Sequence, residues 1–296
     1  MGKERDGMRR STDKIERVWQ FGSSMASQMV GGMAGLVTTS LTTNPFLGVA
    51  VGTGLAQTLQ KVGADLIDAK LRSRQEIRVG RAIAVAAVRM NDRLSSGERV
   101  RDDAFMECDG NGRSDADEVA ESALIAAMNS TEEKKVDFIA ALITSIALDP
   151  CISAADGQQM IATAQILQYR AFVILRIAND VHAHRWPARG GEDVGGPPDG
   201  LFALMAQVYD MARLGLVEMR DSNDERFAYA VLGPDGVDPS KLHLTPLGKA
   251  LYRNMELERL PEHDPTYSST VADFAAISHC GTGQTRVDAY IDGGQI

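Results

Sequence analysis

One stretch of this sequence constrains the fold more than any other. Residues 18–60 carry no charged side chain, 43 positions in a chain that is 24% charged. A single breaker, Asn44-Pro45, divides the run. Proline fixes φ, lacks an N–H donor and pushes the residue before it out of the helical region. The spacing therefore predicts a Gly-rich helical hairpin with limbs near 21–42 and 46–60. Gly31 and Gly35 stand four apart on the first limb, and Gly48 and Gly52 do so on the second. Such pairs flatten a helix face and let two backbones approach closely. With Leu36, Pro45, Phe46 and Val51, they are the residues expected to serve membrane insertion or self-association.

Two uses of the hairpin are open on this pattern. A membrane span needs about 20 predominantly apolar residues. The first limb has the length but carries Ser23, Ser24, Ser27, Gln28, Thr38, Thr39, Ser40 and Thr42; the second is more apolar but short. Glycine in a soluble helix costs about 1 kcal/mol relative to alanine, so the glycines call for close packing in a core or an oligomer interface. The flanking charge favours a membrane. Residues 1–100 hold 15 Lys+Arg against 9 Asp+Glu, within a chain of net charge −9. Both ends of the hairpin are basic and its tip is not, so both ends are expected on the cytoplasmic face, near anionic lipid. A secretory leader is not expected, because the apolar stretch is too long and no cleavage site follows it.

The rest of the chain predicts packed helices. Aromatic residues are only 5%, whereas alanine, glycine and methionine are plentiful. Cys108, Cys151 and Cys280 are odd in number and have no CxxC spacing. That pattern argues for a reducing compartment and against a disulfide frame or a zinc site. The acidic total argues against general affinity for nucleic acid.

In chain order, residues 1–17 are a charged N-terminal segment, 18–61 the hairpin and 62–185 a helical bundle. Residues 62–94 read as one helix whose apolar stripe Gly80 interrupts, and Arg72, Arg74, Arg78 and Arg81 lie on its basic face. Those arginines either contact lipid or a partner, or pair with acidic helices downstream. Asp109 to Arg113 imitate the start of a calcium loop, but Ala120 stands where the bidentate glutamate belongs. Helices are expected over 115–129, 131–148, 153–167 and 169–184, the first two joined by a Ser130-to-Glu133 capping box. The stretch 115–184 thus reads as a four-helix core. His182 and His184 are two apart, a spacing that shares no helix face for a metal.

Residues 186–200 read as a linker and 201–260 as a small α+β unit. Its helix ends at Gly215; strands are expected at 216–220, 227–232 and 242–244, and Thr245-Pro246 opens another helix. That order is winged-helix-like. Arg213 is offset by Asp210, and the wing carries Asp221, Asp224 and Glu225, so a protein-binding role is favoured over DNA reading. Residues 261–296 read as a lightly structured C-terminal arm. The fold class expected is mainly α. No catalytic residue, metal ligand or cofactor is assigned.

The segments EEKKVDFIAALI, YRAFVILRIAND and MARLGLV followed by LHLTPLGKAL, with the apolar N-terminus before them, resemble the Abi-alpha type of bacterial proteins. The resemblance covers roughly 45–257. It implies a bacterial or phage-related cytoplasmic protein that acts at the inner membrane in abortive infection, and it carries over no functional residue. The expected partners are the chain itself as a homo-oligomer, an anionic membrane and a protein at the C-terminal unit. The alternative is a soluble oligomeric interaction or DNA-binding regulator.

Overall fold

The computed structural model describes residues 58, 59, 62, 63, 72–108, 110, 112–181, 184, 186, 201–219 and 237–279. These form eight α-helices and one two-stranded antiparallel sheet, so the chain is mainly helical. The expected hairpin residues Gly31, Gly35, Leu36, Pro45, Phe46, Gly48, Val51 and Gly52 lie outside the described residues, as do the strand expected at 227–232 and residues 280–296. The chain divides into two compact units between Gln168 and Tyr169.

The first unit contains α1 (Ser73–Ser95), α2 (Asp115–Met128), α3 (Val136–Leu148) and α4 (Ala154–Ile166). Helix α3 is its centre. Every residue from Phe138 to Leu148 is buried, because α1, α2 and α4 all pack on it. Thr144 and Ser145 are the polar residues of this run; Thr144 is fully buried and donates to the Ala86 carbonyl of α1 at 3.1 Å. Gly157 of α4 lies so close to α3 that a Cβ there would stand 3.0 Å from Ile146 Cδ1.

Three local expectations are corrected here. The helix expected over 62–94 is not continuous: Val62 and Gly63 are helical, but Arg72 is extended (φ −75°, ψ 149°) and donates its amide to Gln75 Oε1 at 3.0 Å, so α1 begins at Ser73. Gly80 does not interrupt it; the glycine is buried in the helix interior. The Ser130 capping box does not form. Ser130 Oγ donates to the Glu132 carbonyl at 3.0 Å, a 3-10 turn follows at Glu133–Lys135, and α3 starts only at Val136. A reciprocal box forms instead before α2. Ser114 Oγ accepts from the Asp117 amide at 3.1 Å, and Asp117 Oδ2 accepts from the Ser114 amide at 3.3 Å. Two orphan N–H groups are satisfied in this way, and the acidic first turn suits the helix dipole.

The second unit contains α5 (Tyr169–Asn179), α6 (Leu201–Arg213), β1 (Val217–Met219), β2 (Leu242–Leu244), α7 (Pro246–Asn254) and α8 (Pro265–His279). Strand β1 pairs with β2 in the register Val217 to Leu244, Glu218 to His243 and Met219 to Leu242. Helix α5 was expected to complete the bundle, yet it groups with the C-terminal elements. Its run Ala171–Leu175 is buried all round, and α6, α7, α8 and β2 supply the cover that such a helix needs.

The expected loose arm after 261 is corrected as well. From Pro265 it is helix α8, with Tyr267, Thr270, Phe274 and Ile277 buried along one face. Spacings of three, four and three put those side chains on a single stripe. Asp264 accepts from the Thr266 amide at 2.8 Å at the start of this helix, and Tyr169 Oη donates to the same carboxylate at 3.3 Å.

Candidate functional site

The charge-free run reaches the described residues at Thr58 and Leu59, which are helical and buried, as are Val62 and Gly63 just beyond it. A Cβ on Gly63 would stand 2.8 Å from Ile83 Cδ1 of α1, so the backbone approaches α1 as closely as glycine allows.

The four arginines singled out on α1 divide into two pairs. Arg78 meets Glu133, with Nη2 2.8 Å from Oε1, and its Nη1 reaches the Met128 carbonyl at 3.4 Å. Arg81 meets Asp137 through two parallel bonds, Nε to Oδ1 at 2.5 Å and Nη2 to Oδ2 at 2.7 Å. Burial opposes the Arg81 charge, but the bonds and field of Asp137 outweigh it and hold the guanidinium above its ordinary value. These two arginines are thus held by the chain's own acids. Arg72 and Arg74 are exposed at the start of α1, and among the described residues neither has an ion-pair partner.

The acidic partners lie 55 and 56 residues further on, which is why the sequence pattern left the pairing open. Their spacing does carry a signal. Glu133 and Asp137 stand four apart and face arginines three apart, a match of one helical turn. Arg101, not singled out from sequence, is another anchored cation. Its side chain is 5% exposed, and its Nη1 donates to the carbonyls of Ile152 at 2.8 Å and Ile146 at 3.2 Å. The guanidinium pairs with Asp103 and lies 4.2 Å from the Phe105 ring centre. It ties the connector to the end of α3.

In the second unit the helix–ribbon–helix junction is tightly made. Helix α6 ends in a Schellman turn. Gly215 takes a left-handed conformation (φ 69°), its amide bonds the Ala212 carbonyl at 2.9 Å and the Leu216 amide bonds the Met211 carbonyl at 2.9 Å. Thr245 Oγ1 accepts from the Gly248 amide at 3.0 Å, capping α7, and donates to the Gly215 carbonyl. Gly248 is pressed onto the Leu216 carbonyl, leaving no room for a Cβ.

The outward stripe of α6 runs through Phe202, Ala206, Asp210 and Arg213. Phe202 is 55% exposed, and Leu214 and Leu247 flank the junction at 38% and 42%. Asp210 and Arg213 are 3.7 Å apart and mostly exposed, so the stripe has no excess of either charge. Elsewhere in this unit, Arg176 pairs with Asp180 at 3.0 Å and Glu262 at 3.6 Å, bracing the turn before α8. Burial raises the Tyr252 and Tyr267 phenols above their ordinary value. Tyr267 Oη shares a 3.2 Å hydrogen bond with His184 Nε2.

Among the described residues, no three His, Cys, Asp or Glu side chains converge to hold a metal ion. No single described helix is long and apolar enough to cross a membrane. No protein-family model, curated protein or solved structure matches the chain.

Proposed function

We propose that the chain is a non-enzymatic, self-associating interaction protein that engages an anionic membrane through residues 18–60. The carrying observation is the division of charge around that segment. Forty-three uncharged positions end beside α1, where Arg78 and Arg81 are occupied by acids while Arg72 and Arg74 face solvent. Two exposed cations next to an apolar stretch suit lipid phosphates. The C-terminal unit, read as winged-helix-like, serves a protein partner; the balanced charge of α6 is unlike a nucleic-acid surface. The resemblance to Abi-alpha proteins suggests phage defence as the setting.

Flotation of the full chain with vesicles of anionic and of neutral lipid tests this reading. Flotation is expected with anionic vesicles, weaker for Arg72→Glu/Arg74→Glu and absent for Gly35→Asp or Val51→Asp. Protein that stays at the bottom with every vesicle sinks the membrane reading.

A second reading is a soluble oligomeric interaction protein, favoured by the burial of Thr58, Leu59 and Val62 at the end of the run. It expects no flotation and a loss of oligomer, or of fold, in Gly35→Asp.

A further inference from the structure

We infer that the contact between residues 58–63 and α1 is an autoinhibitory latch on the charge-free run. The latch presupposes the membrane reading, and while it is closed the run cannot complete a crossing. Thr58, Leu59, Val62 and Gly63 are helical and buried. Their spacings of one, three and one put them on a single helix face. That face rests on α1, where the Gly63 backbone meets Ile83, a residue itself buried. Helix α1 packs along α3 and is tied to it by the Arg81–Asp137 pair. Those charges keep α1 with the folded unit and out of hydrocarbon.

Length makes the closed contact and a crossing mutually exclusive. A hydrocarbon core is about 30 Å thick, and a helix rises about 1.5 Å per residue. With Thr58 held on α1, the expected second limb keeps residues 46–57, twelve positions. As a helix these reach about 18 Å, well short of the core. With 58–63 released, the uncharged sequence continues to Ala64, broken only by Lys61. Residues 46–64 are nineteen positions, or about 29 Å, and a lysine stem can carry its ammonium to the headgroups. The contact is also small. One helix face of four buried residues can open locally without unfolding the unit beneath it.

The test uses the full chain with Cys108, Cys151 and Cys280 replaced by serine and the pair Gly63→Cys/Ile83→Cys added. It is floated with anionic vesicles in high salt, which removes purely electrostatic attachment. Oxidation cross-links the run to α1, and flotation should fall about tenfold or more below that of the same protein reduced. Ile83→Ala weakens the latch from the α1 side and leaves the run unaltered. It should float at about tenfold less lipid than the wild type, with thermal melts confirming that it is folded. Equal flotation of the oxidised and reduced forms overturns the latch and leaves the membrane reading intact, with 58–63 a permanent anchor. A folded Ile83→Ala that floats like the wild type overturns it too, as does a cysteine pair that free-thiol titration shows not to cross-link. If Ile83→Ala does not fold, the oxidised and reduced forms decide between these outcomes alone. If the wild type, Ile83→Ala and the reduced pair all stay at the bottom with every vesicle, the membrane reading falls and the latch with it.

Discussion

Arg81 and Asp137 close a two-point ion pair between α1 and α3, at 2.5 and 2.7 Å. Their side chains are only 15% and 20% exposed, so neither is well hydrated once its partner is removed. Truncating one member of a buried pair costs about 3–5 kcal/mol, and partial exposure reduces the expectation here to about 2 kcal/mol. Arg81→Met should lower the urea midpoint accordingly. Arg78→Met should cost less, about 1 kcal/mol or below, because Glu133 is 46% exposed. Replacing Arg81 and Asp137 together by Met and Leu should recover much of the loss. Equal costs for Arg78→Met and Arg81→Met would contradict this ranking.

The two glycines at the α6 junction should respond differently to alanine. Gly248 has no space for a Cβ against the Leu216 carbonyl, so Gly248→Ala must push α7 off the turn that precedes β1. A loss of about 3 kcal/mol or more is expected. Gly215 has open space around it, and its demand is only conformational (φ 69°). Gly215→Ala should cost about 1–2 kcal/mol. Thermal melts of the two variants check the order.

Helix α8 is part of the second unit's core, and Phe274 is its test. The ring is fully buried and meets Trp186 edge-on, with centroids 5.9 Å apart. Phe274→Ala should destabilise by about 3–5 kcal/mol. Faster cleavage within the C-terminal unit under limited proteolysis should accompany that loss. Wild-type resistance in this variant would return 265–279 to the status of an arm.

Asp103 should contribute to the acid limit of stability. Its bonds from Arg101 hold the carboxylate below its ordinary value of 3.8. A depressed carboxylate contributes stability that is fully present above the unfolded value and is lost as pH falls through the folded one. Stability should therefore fall as pH drops below about 3.8, and Asp103→Asn should flatten that fall while lowering stability at neutral pH. Urea midpoints at pH 3 and pH 7 distinguish the two. A variant with the wild-type slope would show that the pair does not contribute to it.

The parts of the fold that were legible in sequence rest on contacts between close neighbours. Ser153 caps α4 through the Asp156 amide, Thr245 caps α7, and Gly215 ends α6, all within a few residues. The parts that were not legible depend on distant ones. Whether α1's arginines are occupied depends on acids more than fifty residues away. Ser130 looks like a cap until Val136 is drawn into the core and the turn before α3 tightens. Helix α8 is masked in sequence by Thr266, Ser268, Ser269 and Thr270, two of which bond back to the carbonyl of Thr266 and so leave the helix intact. The exposed stripe of α6 was visible only as an ordinary amphipathic pattern, because exposure at Phe202 depends on what covers the helix.

The hydroxyl of Tyr169 reaches Asp264, 95 positions later, and Arg170 reaches Asp273, 103 later. This has a consequence for synthesis on the ribosome. The first four helices can assemble as soon as α4 has emerged, since their partners are already present. Helix α5 carries the apolar run Ala171–Leu175, which gains its last cover only when α8 leaves the exit tunnel. Until then it is a chaperone substrate, and a stop codon anywhere before 265 would leave it in that condition permanently.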